Sequence, residues 1–238
     1  MREVDGLKIE RATNSLRHKV VVVLRKAIAD GQFAPGSRLI ERELCNLTGV
    51  SRTIIRESLR HLEAEGLVNT IPNKGPVVAP LTLSDAEQIY EIRGALEPLA
   101  ARLFTENADE SQIAELAAAH KQLKKAFASK DIRFIADAAH IVYEAILAGC
   151  KNAYIAEILR RLSARVAVLR VMSMSEEGRV PRSAKEMNKI VLALIARDGK
   201  RAGKASAEHV KAASVSAIRM LKSRNRIVKN AEIDLISA

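Results

Sequence analysis

The chain has 238 residues, 48% of them hydrophobic and only 3% aromatic, with no Trp. A core drawn from Ala, Leu, Ile and Val suits helix-on-helix packing and disfavours a β-sandwich, and the length allows two modest domains. The formal charge of +11 is spread along the chain, residues 1–80 holding 13 of the 39 basic and 9 of the 28 acidic residues, so a polyanionic partner is favoured but not specified.

In chain order, the apolar positions Leu16, Val20, Leu24, Ala27 and Ile28 predict an amphipathic helix over Asn14 to Asp30 that ends at Gly31. Pro35-Gly36 predicts a tight turn. A short helix then opens at Glu41, turns at Gly49, and yields to a second helix capped by Ser51. Helical spacing puts Arg52, Thr53, Arg56 and Arg60 on one side of that second helix, and Ile55, Leu59 and Leu62 on the other. Such a helix seats on a core through its apolar back and presents guanidinium groups to a DNA major groove. Gly66 closes it as a left-handed cap. Two β-prone runs, Leu67 to Ile71 and Pro76 to Ala79, flank a turn of Pro72-Asn-Lys-Gly75 and predict a small hairpin. This is the order of a winged helix-turn-helix; an unrelated three-helix packing with a stray loop is the other reading.

Pro80 to Asp85 reads as a linker entering a new helix, with Ser84 and Glu87 as its capping box. Helical periods then follow over 84–106, 110–128, 131–148, 152–175, 183–197 and 199–226, and no strand pattern recurs after Ala79. The fold class is therefore mainly α, with a winged helix-turn-helix domain over 1–80 and an all-α antiparallel bundle over 81–238. The last segment is basic (Arg219, Lys222, Arg224, Arg226, Lys229), which suits a solvated helix end, or contact with DNA phosphates. Cys45 and Cys150 stand far apart with no CxxC, so buried reduced thiols are expected, with no disulfide framework or zinc knuckle. The chain opens on the charged Arg2, Glu3 and Asp5, and its longest early apolar block, Val20 to Leu24, is far too short to span a bilayer. A cytoplasmic protein with no membrane partner is expected.

The first eighty residues resemble the GntR family of bacterial transcription regulators. The likeness is carried by Gly31-Gln-Phe-Ala-Pro-Gly-Ser-Arg-Leu39, Glu41-Arg-Glu-Leu44, Gly49 to Leu59, Glu65-Gly-Leu-Val68 and Gly75. The remainder is similar to the C-terminal domain of the FadR branch, through Ile92 to Glu97, Asn152, Ala193 to Asp198 and Ala207 to Val210. The resemblance implies a homodimer that reads a short palindromic double-stranded DNA operator. Carried over by position, it implies DNA contacts from Arg42, Ser51, Arg52, Thr53 and Arg56, with Lys74 and Gly75 at the wing tip. Chemistry then divides that set: Arg52 is suited to a guanine edge, whereas Arg42, Ser51, Thr53 and Lys74 are suited to phosphates. Arg60 reads equally as a DNA contact and as a solvated charge.

Many members of that branch hold a metal beside a small carboxylate effector. By position their ligands fall here on Ala139, Tyr143, Met187 and His209, of which only His209 is a ligand, so no metal and no cofactor are expected. Asp137 and His140 read as a helix-side pair, or as part of a displaced metal site with His209. The other histidines, His18, His61 and His120, read as solvated or rim residues. What remains is an effector pocket of Arg93, Tyr143, Met187 and His209 for an organic acid anchored on Arg93, or else a solid bundle with Arg93 in an internal salt bridge. The functional expectation is a ligand-responsive regulator, a repressor in the first instance. The alternative is a constitutive DNA binder whose bundle only dimerises. An enzyme is not expected, since no nucleophile–base pair, phosphate loop or paired-carboxylate signature is present.

Overall fold

The computed structural model describes the backbone of residues 11–236 and the side chains of residues 16–224. The chain divides into two compact units, Met1–Pro80 and Leu81–Ala238.

The first unit contains α1 (Arg11–Ala29), α2 (Glu41–Thr48), α3 (Arg52–Ala64), β1 (Val68–Ile71) and β2 (Gly75–Val78). Gly49 stops α2 in the left-handed region at φ 70°, where its N–H reaches the Cys45 carbonyl. Ser51 then caps α3 by accepting from the Ile54 N–H. Ile55, Leu59 and Leu62 are buried on the inner side of α3, against a core that includes Val20, Val21 and Leu24 of α1. The hairpin is antiparallel with Val68 opposite Val78 and Ile71 opposite Gly75. Its turn carries Asn73 and Gly75 at positive φ, a conformation Asn and Gly tolerate best. One strand contact was not expected from the sequence: Arg38 bridges to Val77, with Val78 N–H donating to Ser37 O and Leu39 N–H to Pro76 O, each at 2.9 Å. The segment before α2 thus forms a third strip beside the wing.

The second unit is all-α among the described residues: α4 (Leu83–Asn107), α5 (Glu110–Ser129), α6 (Ile132–Gly149), α7 (Ala153–Met174), α8 (Arg179–Ile195) and α9 (Gly199–Ile236). Two boundaries correct the sequence reading. The capping box at the start of α4 is Thr82 with Asp85, not Ser84 with Glu87. Thr82 takes the Asp85 N–H, and the Asp85 carboxylate accepts from both the N–H and the hydroxyl of Thr82. Secondly, α8 starts at Arg179, four residues earlier than expected, because Pro181 falls in its first turn, where a missing N–H costs no helical hydrogen bond. Cys150 is fully buried at the end of α6, whereas Cys45 is only half-buried, so the expectation of two buried thiols holds for one.

Long α9 lies along α4 at a close approach set by glycine. A Cβ at Gly199 would sit 2.7 Å from Thr105 Oγ1, and one at Gly203 would sit 3.0 Å from Arg102 Cγ. At the other end of α6, a Cβ at Gly149 would lie 2.4 Å from the ring of Phe104, which is fully buried and has nowhere to move. Gly149→Ala is therefore expected to destabilise the protein by about 1–3 kcal/mol through overpacking. Gly94→Ala in the exposed middle of α4, where nothing lies within 4 Å, is expected to stabilise by up to about 1 kcal/mol. Urea unfolding of the two variants beside the parent checks both signs.

Candidate functional site

On the outward side of the first unit, Arg42, Ser51, Arg52, Thr53, Arg56, Arg60 and Lys74 are all exposed, and Gly75 is half-buried. Arg42, Arg52, Arg60 and Lys74 make no ion pair among the described residues. Three acidic side chains of α3 and its end are turned to other uses, while Glu43 on α2 stays exposed. Glu57 faces Arg17 at 4.0 Å, Glu63 accepts the Thr70 N–H at 3.0 Å, and Glu65 takes a forked pair from Arg25 at 2.9 and 2.5 Å. Arg56 differs from its neighbours. Its guanidinium forms a two-pronged bridge to Glu41, 3.0 Å on each arm, which ties the start of α2 to the middle of α3. The Arg56 hydrogen bond, aided by the charges of Arg56 and Arg52, holds the Glu41 carboxyl below its usual range. Of the residues carried over for DNA contact, Arg56 thus arrives half-neutralised, while Arg52 arrives as a free charge at a helix N-terminus that itself favours phosphate. Arg38, absent from the expected contact set, is exposed beside the wing, its Nη2 about 4.0 Å from where a Gly75 Cβ would stand. Its place depends on the strand bridge, so no local pattern announces it.

Inside the second unit, Arg93 of α4, Tyr143 of α6, Met187 of α8 and His209 of α9 line one internal pocket, together with Ala139. The enclosed space is small, about 20 Å³, room for one or two waters at roughly 10–15 Å³ each. Arg93 is 2% exposed, and its Nε donates to Glu97 Oε1 at 2.5 Å, the internal salt bridge that was the second reading of this residue. Burial is the largest influence on Arg93 and opposes its charge, but Glu97 outweighs it with help from the two tyrosines, and the net shift is upward. His209 shares Glu186 with Arg179: its Nδ1–H donates to Oε2 at 2.7 Å, while Arg179 Nη1 and Nη2 hold the two carboxylate oxygens at 2.9 and 2.7 Å. Burial pushes the His209 imidazole down, and Glu186 only partly offsets it.

Three polar contributors were missed from the sequence. Arg170 of α7 lies over the Tyr143 ring at 5.0 Å and donates from Nη1 to the Ala136 carbonyl at 3.3 Å, with no carboxylate partner. Arg179 and Ser183 are 1% and 0% exposed, and Arg179 Nε and Ser183 Oγ face the pocket without a hydrogen-bond partner. A signal for the α8 pair did exist: Arg179, Ser183 and Met187 fall at i, i+4 and i+8 on one helical face. His120, expected at the rim, is instead 6% exposed on α5, because its ring packs beside Leu123. Arg219, expected as a solvated end, is paired with Glu176; Arg226 and Lys229 lie outside the residues whose side chains are described.

The positions onto which the family resemblance carries metal ligands fit an ion poorly here. Ala139 offers no donor, Tyr143 a phenol held neutral by burial, and Met187 a soft thioether, leaving the His209 ring alone. Among the described residues no three His, Cys, Asp or Glu side chains group closely enough to hold an ion, and His140 is on the exposed side of α6, outside this pocket.

The winged helix with its basic reading helix, followed by a bundle with a polar pocket, defines a DNA-binding regulator rather than an enzyme. Residues 16–78 match the family described as bacterial regulatory proteins, gntR family, and residues 88–212, just over half the chain, match the FCD domain. The chain belongs to the gntR family of bacterial regulatory proteins and carries an FCD domain, as the FadR branch does. It is 29% identical to the galactonate operon transcriptional repressor of Escherichia coli (strain K12) over 215 residues, 79% of this chain and 90% of that one. It is 41% identical over 102 residues to the uncharacterized regulator YdhC of Bacillus subtilis (strain 168), a match spanning only 44% of that relative's length. The solved structure of E. coli McbR/YncC superposes with a TM-score of 0.75 at 23% identity, covering 88% of this chain and 98% of that one, and shows the shared fold. Among the described residues no helix is long and apolar enough to cross a membrane.

The buried histidine gives the bundle a pH dependence. Unfolded, His209 protonates near its ordinary value of 6.5; folded, it does so only at lower pH. The unfolded chain therefore binds the extra proton first, and the stability is complete above that value and lost as the pH falls. The melting temperature is expected to drop between about pH 7 and about pH 5, and His209→Gln to flatten part of that slope. His120, also pushed down by burial, acts in the same direction.

Proposed function

We propose that the protein is a one-component transcriptional repressor that binds a palindromic operator as a homodimer and responds to an organic acid held in its bundle. The observation that carries the DNA half is the face of α3, where Arg52 stands exposed and without an ion pair while Glu57, Glu63 and Glu65 are engaged by the scaffold. In this reading Arg52 reads a guanine edge, whereas Arg42, Ser51, Thr53, Lys74 and the backbone at Gly75 hold phosphates and set the register. Arg56 contributes chiefly by locking the helix-turn-helix through Glu41. Homodimerisation is supported by apolar side chains left exposed on two packed helices: Phe134 and Ile141 on α6, Tyr154 and Ile158 on α7. Effector response is supported by the polar pocket around Tyr143, Met187 and His209, and by the acid named in one relative's regulated operon. The coupling needed between the sites is only about 1–3 kcal/mol.

The second reading, a constitutive binder, is favoured by the small pocket and by the pairing of Arg93 with Glu97. Operator release on titration with organic acids separates the two, because a constitutive binder keeps its affinity throughout.

For the DNA interface, Arg52→Ala is expected to lose about 1–3 kcal/mol on the operator and much less on random DNA. Lys74→Ala is expected to weaken both about equally and to reduce the salt dependence by roughly one phosphate contact. Equal losses for Arg52→Ala on both DNAs, measured by fluorescence anisotropy at two salt concentrations, would remove its base-reading role. For assembly, Ile141→Glu is expected to shift sedimentation toward monomer and to weaken operator binding with it.

A further inference from the structure

Guanidinium and carboxylate groups at the bundle centre do not balance. Arg93 is matched by Glu97 and Arg179 by Glu186, while Arg170 has only a carbonyl and an aromatic face. His209 adds no charge where burial keeps it neutral. One positive charge, on the half-buried Arg170, is therefore left at the pocket wall without a carboxylate partner, where an anion would offset it. Burial lowers the Arg170 pKa and the neighbouring Arg93 charge adds to it, against the opposing influence of Tyr143 and Glu97.

Around that charge stand donors with nothing to bind. Arg179 Nε and the hydroxyls of Ser173 and Ser183 line the same pocket, all on residues no more than 2% exposed, and none has a hydrogen-bond partner among the described residues. Unpaired buried donors each carry a desolvation cost that an acceptor-rich ligand removes. An oxyanion, all acceptors, complements such a set.

The pocket also has a neighbour through which a ligand can reach it. A cleft of about 280 Å³ opens between α5 and α8, with exposed Lys124 and Lys185 at its rim. Phe127 and Met187 line both the cleft and the inner pocket, and Met187 also borders a third, apolar space of about 30 Å³ on the far side of Tyr143. One unbranched, easily re-aimed thioether therefore borders all three spaces.

We propose that this site takes a metal-free, oxyanion-headed ligand, drawn in through the α5–α8 cleft past Phe127 and Met187. Its head group is anchored on Arg170 with Arg179 Nε, Ser173 and Ser183. The inference rests on the reading of the bundle pocket as an effector site and adds the ligand class, the anchor and the route. The body of the ligand stays behind in the larger cleft, and the lysines at the rim steer its approach.

The test uses the full-length protein in EDTA, with acid and neutral probes in pairs: acetate and acetamide, hexanoate and hexanamide, benzoate and benzamide, gluconate and gluconamide, glucose 6-phosphate and glucose. Thermal shift and operator release are read for each. At least one acid is expected to stabilise the protein and release DNA without any metal, its neutral counterpart doing neither. Arg170→Met is expected to weaken that acid at least about tenfold, the scale of a charge-assisted hydrogen bond. The unliganded variant should melt near the parent's temperature, because the half-buried charge that is lost has no carboxylate partner to leave behind. Should Arg170→Met fail to fold, Ser183→Ala carries the same test with a smaller loss of acid affinity. Met187→Leu, of similar volume but stiffer, is expected to slow association several-fold while leaving the acid preference intact. A neutral probe acting as well as its acid, a requirement for added divalent metal, or undiminished acid binding by Arg170→Met would overturn the proposal while leaving an effector site standing. Ten probes without effect on either readout would remove the effector reading as well.

Discussion

A guanidinium taken out of water must meet a carboxylate or another acceptor, and this requirement organises both units of the chain. In the winged helix it adds polar bridges to elements that also pack through apolar residues. The fork from Arg56 to Glu41 joins α2 to α3, and the fork from Arg25 to Glu65 joins α1 to the end of α3. These bridges are partly or largely exposed and individually modest in energy, so their weight is geometric. They leave the outward side of α3 with basic residues whose acidic neighbours are already committed. A helix that presented Glu57 and Glu63 freely beside Arg52 would cancel the field a phosphate backbone responds to.

The same requirement acts more severely in the bundle, where water is scarce. Two carboxylates, Glu97 and Glu186, serve two guanidiniums and an imidazole, while Arg170 has only a carbonyl. Glu186 is the more heavily used, accepting from Arg179 twice and from His209 once. Its carboxyl stays below the usual range despite the opposing effect of burial, because those three donors hold the charged form. Glu97 serves Arg93 through one oxygen, and its other oxygen is buried without a partner. The interior therefore holds unmatched acceptors and donors at once, separated by the tyrosine rings. Such a polar network leaves the centre short of full satisfaction without a guest.

Much of the fold was legible in the residues because its signals are local. Gly49, Ser51 and Gly66 fix their turns through positive φ or a side-chain cap, and each acts within four residues. Where the structure departed, competing local signals or distant partners decided. Thr82-x-x-Asp85 and Ser84-x-x-Glu87 both fit a capping box, and the two overlap; the earlier one is used, starting α4 a residue sooner. Pro181 reads as a break, yet a first helical turn has no hydrogen bond for it to remove. The strand contact of Arg38 with Val77 depends on residues almost forty apart and has no period of its own. The family resemblance placed Arg93, Tyr143, Met187 and His209 at one pocket, but it reaches only the positions its motifs cover, so Arg170 was invisible.

The positions onto which the family resemblance carries metal ligands make the last point about chemistry. Ala139, Tyr143 and Met187 stand around the same cavity as His209, so the scaffold of such a site is kept while its donors are exchanged. A divalent ion binds an acid by direct coordination and carries its charge in one atom. Arginine delivers the same sign of charge through a planar fork that needs room, stacking partners and defined acceptor directions. Tyr143 supplies the stacking face for Arg170, and Ala139 in place of a carboxylate leaves no acid at that position to claim its remaining N–H groups. Met187, where a ligand would have been fixed in place by a metal, is released to move. Three features of this chain are thus consistent with one another: no donor set for an ion among the described residues, a guanidinium without a carboxylate, and a methionine beside the lysine-rimmed cleft.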